Sequence, residues 1–441
     1  MGNSWSQVKL EDVIELNPNR PLSKGTNSPF ISMQQITPLD RNITELSRRD
    51  FSGSGSRFQN GDTLFARITP CLENGKTAYI KCLNESEVAH GSTEFIVFSG
   101  IEGVSDNLFV YYLTRSPGFR NFAIARMEGT SGRQRVPAQV LKEYTFYCPP
   151  YDEQQSIAHI LGSLDNKIEL NKQTNESLEE MARTIFKSWF VDFDPVRAKA
   201  EGRDTGLPDE IADLFSDSFE ESELGRIPKG WEAMRLGDHI KGQKGVSYKG
   251  KFLSEDGIPL HNLNSIFEGG GYKFHGIKFY SGVYKERHLV YPGDVIVANT
   301  EQEHKRRLIG YAAIVPDNFG DYGLFSHHLY KVKIKQHSHL TNYFISYLLN
   351  SVYMHDKISR YANGTTVNML PSDSLEKPKS VFPPSLLIQA FTRIVGPMKQ
   401  QYYKNIGQNQ TLSQLRDTLL PKLISGELRV PEAEKITEEY A

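Results

Sequence analysis

The chain is short of cysteine: Cys71, Cys82 and Cys148 are scattered over 441 residues, with no C-x-x-C pair among them. That spacing argues against a disulfide framework and a structural zinc site, and for a reducing compartment. Long hydrophobic runs are also missing; none approaches the roughly 18 apolar residues of a membrane span. The opening Met1-Gly2-Asn3-Ser4-Trp5 has no basic patch ahead of an apolar run, so no secretory signal is expected and the chain reads as cytoplasmic. Histidines number 12, but His327-His328 and His337/His339 have no carboxylate or thiol at zinc-motif spacing, so no metal is expected. At 38% hydrophobic and 24% charged residues, this is an ordinary globular composition, long enough for two or three domains.

A strong net charge is lacking as well; the total is −2. It is unevenly spread, however. Residues 1–150 carry 16 Lys+Arg against 15 Asp+Glu, and residues 151–230 carry 9 against 18. Residues 231–383 carry 19 against 14, and 384–441 carry 7 against 6. A local basic patch, not the total, is what contact with phosphate requires, so nucleic acid is not excluded.

What the chain does have is an internal repeat. Trp5, Leu10 and Asp12 recur as Trp231, Leu236 and Asp238, an offset of 226. Gly61-Asp62, an apolar strand and Arg67 recur as Gly293-Asp294, a strand and Asn299, an offset of 232. Gly129-Thr130 recurs as Gly364-Thr365 at 235, and Pro149-Pro150 as Pro383-Pro384 at 234. Loop insertions in one copy produce such a drift. Short runs rich in β-branched and aromatic residues, such as Glu94 to Phe98 and Asp294 to Ala298, predict strands. Leu108 to Leu113 and Tyr343 to Leu349 read as buried helices. The expected class is α+β: two α/β domains, 1–150 and 231–383, with spacer helices at 151–192 and 384–428. A linker at 193–230 and a tail at 429–441 complete the division.

The spacer helices carry a seam. Ile157, Leu161, Leu164 and Ile168, then Leu178, Ala182 and Ile185, fall at steps of three and four residues. The register passes through Asn171 and Asn175 between them. Adding 234 gives Phe391, Val395, Met398 and Tyr402, then Asn405 and Asn409, then Leu412 and Leu419, with Arg416 departing at the place of Ala182. An antiparallel pair would set the two asparagine layers together, where buried amides reject slipped registers. The alternative is that the asparagines mark a solvent-exposed stretch. A helix from Glu153 to Phe190 would run about 57 Å, more than one turn of B-DNA. Domains at opposite ends of such a rod would read two half-sites around an unread gap.

Three stretches carry a family resemblance. Pro149-Pro150-Tyr151-Asp152-Glu153-Gln154-Gln155 through Phe186-Lys187-Ser188-Trp189-Phe190 to Asp194-Pro195 resembles the central region of type I restriction-modification specificity subunits. Glu223-Leu224-Gly225-Arg226-Ile227-Pro228-Lys229-Gly230-Trp231 resembles their entry into a second recognition domain, and Leu419-Leu420-Pro421-Lys422-Leu423-Ile424-Ser425-Gly426 their distal helix end. The resemblance implies two target-recognition domains held on antiparallel coiled-coil helices, and double-stranded DNA with a bipartite site. It further implies two modification methyltransferase subunits and restriction/translocase subunits as partners. The chain itself would have no catalytic residue; S-adenosylmethionine and ATP are expected on those partners.

Enzymatic alternatives rest on weaker fragments. Phe51-Ser52-Gly53-Ser54-Gly55 matches the Phe-x-Gly-x-Gly of S-adenosylmethionine-dependent methyltransferases, but the polar Glu45 to Asp50 before it is no buried strand. Cys148-Pro149-Pro150-Tyr151 lacks a side chain suited to accept from an adenine amino group. Gly75-Lys76-Thr77 is half a P-loop whose first glycine is replaced by Pro70, and it reads as a hairpin. A single-chain restriction or modification enzyme is therefore one rival reading, and a protein-only adaptor another.

Arg, Lys, Asn, Gln, Ser and Thr read base edges. In the first domain the candidates for DNA contact are Gln34, Gln35, Arg67, Thr69 and Lys76, with the loop Thr130, Ser131, Arg133, Gln134 and Arg135. In the second they are His261, Asn262, Asn299, Glu301, Lys305, Arg306, Arg307 and Arg360, with Thr365, Thr366 and Asn368. For any single residue, contact with phosphate or none outweighs contact with a base.

Overall fold

A computed structural model describes residues 5–38, 40–43, 46–130, 132–301, 306–364 and 367–438. The chain forms two compact units, Met1–Asn171 with Gln408–Ala441, and Lys172–Gly407.

In the first unit, strands Ser6–Lys9 and Thr145–Cys148 pair antiparallel. A four-stranded antiparallel sheet runs in the order Ile14–Leu16, Phe95–Gly100, Thr63–Ala66, Thr77–Tyr79. A second sheet runs Ser47–Asp50, Asn27–Ile31, Ala89–Gly91, Ser56–Phe58, with a parallel pair at its centre. The central strands read as unbroken apolar runs because both faces of the sheet are covered. Phe65, Ile96 and Phe98 join one core cluster while their neighbours Leu64, Phe95 and Val97 join another. Helix Asn107–Arg115 starts where the Asp106 carboxylate accepts from the amides of Leu108 and Phe109, both at 2.9 Å. It stops at Ser116, which caps the next helix, Pro117–Ile124.

The second unit repeats this strand order. Glu232–Arg235 pairs with Lys379–Phe382, and a four-stranded sheet runs Ile240–Lys244, Leu329–Ile334, Val295–Ala298, Ala312–Ile314. The other sheet gains an edge strand: Leu253–Ser254, Lys278–Tyr280, Ile258–His261, Gly323–Phe325, Leu289–Val290, again with a parallel centre. Helices Asn342–Asn350 and Val352–Ser359 follow, capped by Thr341 and Ser351.

The domain limits differ from the sequence reading at two places. Residues 193–230 form two short helices and an antiparallel strand pair, and Val196, Phe215 and Ile227 are buried in the second unit's core beside Trp231. This is a folded element, not a bare linker. The segment expected as a tail holds helix Val430–Glu438, with Ala433 buried in the first unit.

Long helices span Tyr151–Phe190 and Ser385–Ser425. In the first unit their segments run antiparallel: Asn171 Nδ2 donates to Asn409 Oδ1 at 2.8 Å, and Arg416 meets Asp165 at 2.6 Å. The departure at Arg416 thus has a physical reason, since its guanidinium is 2% exposed against a buried carboxylate. In the second unit Asn405 Nδ2 donates to Asn175 Oδ1 at 2.9 Å, and Lys399 pairs with Glu179. Burial alone would raise the Glu179 carboxyl; Lys399 and Arg183 outweigh it and hold it below its ordinary value. Among the described residues no helix is long and apolar enough to cross a membrane.

Candidate nucleic-acid interface

Each unit builds its candidate surface the same way, by laying a glycine-containing loop against the end of the central strand. In the first unit the chain continues from strand Thr63–Ala66 into Arg67, Ile68 and Thr69. Thr69 N donates to Gln134 O at 3.0 Å, Val136 N donates to Arg67 O at 2.9 Å, and Ile68 bridges Arg135. The Thr69 hydroxyl also accepts from Gln134 N. Gly129, at φ +118°, lets the loop turn, and the carbonyl of Arg133 lies 3.2 Å from where a Cβ would stand.

The structure therefore brings Arg67, Thr69, Gln134 and Arg135 together. Lys76 lies just before the following strand, Thr77–Tyr79, and donates to Met33 O at 2.8 Å, which ties it to the short turn Met33–Gln35. In that turn Gln34 is exposed, while Gln35 Oε1 accepts from Ser32 N. Thr130 and Arg133 are exposed. Ser131 lies outside the described residues.

Arg135 is engaged within the protein. Its guanidinium grips Glu94 through both oxygens at 2.7–3.0 Å, and this hydrogen bonding holds it above the ordinary arginine value. Glu94 was missed by sequence reasoning. It sits 41 residues from its partner, and no motif or periodicity links the two.

In the second unit, Asn299 N donates to His328 O, Leu370 N donates to Asn299 O, and strand Thr300–Glu301 pairs with Asn368–Met369. The chemistry differs from the first unit. Asn299 is 1% exposed, with Nδ2 on His327 O at 3.0 Å, and Asn368 is buried in the strand pair. Asn262, also buried, caps the turn Leu263–Ser265 and donates to Leu260 O and Gly276 O. These three asparagines, expected to face DNA, are internal and build the fold. Arg306, Arg307 and Arg360 are exposed, Arg360 in an ion pair with Asp356. Glu301 turns inward and accepts from the Arg307 amide at 2.9 Å. Lys305, Thr365 and Thr366 lie outside the described residues. His328 stands at the place Glu94 occupies in the first unit, its Nδ1 3.0 Å from the Thr300 hydroxyl. Burial holds His327 and His328 below the ordinary histidine value, and Lys244 adds to it.

Comparison with known proteins finds relatives that span these surfaces. The family described as "Type I restriction modification DNA specificity domain" matches residues 3–180. The type I restriction enzyme MjaIX specificity subunit of Methanocaldococcus jannaschii is 27% identical, covering 97% of this chain and 94% of that protein. The type I restriction enzyme HindI specificity subunit of Haemophilus influenzae is 25% identical, covering 97% of this chain and all 100% of its own. Among solved structures, the type I restriction-modification S subunit of M. genitalium matches over 96% of each chain at 15% identity, with a TM-score of 0.56, a likeness of fold. The chain is thus similar over nearly its whole length to specificity subunits of type I restriction-modification systems, and its residues 3–180 match the DNA specificity domain of that family.

Proposed function

We propose that the chain reads a bipartite DNA target, one half with each unit, and presents it to methyltransferase subunits seated on the long helices. One observation carries this reading: each unit separately builds the same loop-on-strand platform, and different side chains populate the two. Arg67, Thr69 and Arg133 belong to one; Asn299 and Glu301, with the exposed Arg307 joined to Glu301 through its amide, belong to the other. Two platforms with unlike side chains suit two unlike half-sites. The asparagine contacts on the long helices act as register marks, because slipping either helix would leave buried amides facing leucine.

Modification-sensitive sequencing of cells that express the neighbouring methyltransferase, with and without this chain, tests the reading. The expected result is a split motif, two short half-sites around a fixed gap, present only with the chain. Deleting seven residues from both long helices should then shorten the gap. Unchanged methylation, or a contiguous motif, sinks the proposal.

Arg133 separates anchoring from reading. It is exposed on the loop, and Arg133→Ala is expected to weaken binding nearly evenly across sequences, with the salt slope reduced by about 1. Titrating labelled duplexes at several salt concentrations gives both numbers. A changed motif would make Arg133 a base reader instead.

A further inference from the structure

Arg67 is unusual among the charged groups of the first unit. It is half-buried, its Nε is shut off from solvent, and it has no hydrogen-bond or ion-pair partner for its side chain among the described residues. Its main chain is held on both sides, N donating to Glu94 O at 3.0 Å and O accepting from Val136 N at 2.9 Å. Glu94, whose main-chain carbonyl holds the Arg67 amide, has its carboxylate on Arg135. Leaving a partly desolvated guanidinium unpaired costs free energy.

The fold itself does not demand that cost. The same position in the second unit is Asn299, which is neutral and bonded to His327 O, and His328 takes the place of Glu94. One topology thus builds this position with no charge at all. The charge in the first unit is kept for something outside the chain.

We infer that Arg67 reads a guanine, donating to O6 and N7 at its major-groove edge, and that the Glu94–Arg135 pair fixes the loop beside it. The inference rests on the DNA-recognition reading above. A guanidinium fork matches the two acceptors of guanine. Phosphate is the other acceptor in DNA, but a recessed side chain on a clamped backbone has few directions open to it, as base reading requires. The exposed Arg133 is the better phosphate contact.

The test uses the full-length chain with its methyltransferase partner and duplexes carrying the motif found by sequencing. Guanines are replaced one at a time by 7-deazaguanine, which lacks the N7 acceptor. At one guanine of one half-site the substitution should weaken wild-type binding roughly tenfold or more. At that same position the Arg67→Ala protein should be nearly indifferent and should accept other bases, and Arg67→Lys should restore selectivity only in part. The assignment is overturned if wild-type protein is indifferent to 7-deazaguanine everywhere. It is equally overturned if Arg67→Ala keeps the full sensitivity of wild type, or if it loses affinity evenly with a reduced salt slope. The wild-type arm needs no variant to fold. Failure to find any split motif is a separate result, and sinks the recognition reading rather than the role of Arg67.

Discussion

Asp165→Ala is expected to lower the stability of the first unit by about 3–5 kcal/mol, because it strands a charge inside the protein. Arg416 is 2% exposed and its Nη1 lies 2.6 Å from Asp165 Oδ1. The other Asp165 oxygen accepts from the buried Tyr112 hydroxyl at 2.7 Å, so the carboxylate serves two donors at once. Removing it leaves a guanidinium with only the half-solvated Asp417 to offset its desolvation. Removing both charges is a different matter. An Asp165→Leu/Arg416→Met double variant should recover most of the loss, since a buried pair is often replaceable by apolar groups at little cost. Urea denaturation gives the size of the effect, and hydrogen exchange over 160–170 and 410–420 shows where it falls. A single-variant loss below about 1 kcal/mol would mean that water reaches the pair and that its burial is not what matters.

That pair also shows where the sequence stopped being informative. Arg416 stood out as the one seam position that departed from the repeat, but nothing in spacing alone pointed to Asp165, 251 residues away. The strands Thr63–Ala66 and Val295–Ala298 were legible because period and composition are local properties, and helix Asn107–Arg115 because its apolar run is uninterrupted. The candidate surface was legible only as two loops. Which residues of a loop face outward depends on long-range pairing, and Asn262, Asn299 and Asn368 illustrate it. All three have the right chemistry for adenine, yet their amides or backbones are spent inside the fold. Glu94 is the converse case: its partner Arg135 was among the candidates, but the bond that restrains it comes from the far side of the sheet sequence. Segment 193–230 misled for a compositional reason. It is rich in carboxylates, while the few apolar residues that matter, Val196, Phe215 and Ile227, are spread thinly through it and form no periodic run.

The second unit should lose stability in mild acid, and His261 should account for a measurable share. Its ring is buried at the end of strand Ile258–His261, with Nδ1 2.7 Å from the Tyr272 hydroxyl and Phe319 packed edge-on. A neutral imidazole accepts from tyrosine there, whereas an imidazolium would have no anion to meet among the groups that shift it. Burial accordingly pushes His261 down to about 4. In an unfolded chain it titrates near 6.5, so between those values the unfolded state takes up a proton that the folded state refuses. The stabilisation is fully present above about pH 6.5 and is lost as pH falls toward 4, a total of about 3 kcal/mol, with about 2 of it gone by pH 5. His261→Gln, which keeps an acceptor but cannot titrate, should flatten the stability profile between pH 7 and 5 by that amount. His327 and His328 are also held down by burial, so the difference between wild type and variant isolates His261. At the equivalent strand position the first unit has Ile31, fully buried and without charge. Burial also holds the first unit's His90 below the ordinary histidine value, so the comparison of wild type with His261→Gln, not of one unit with the other, carries the test. A variant profile parallel to wild type would place the titrating group elsewhere.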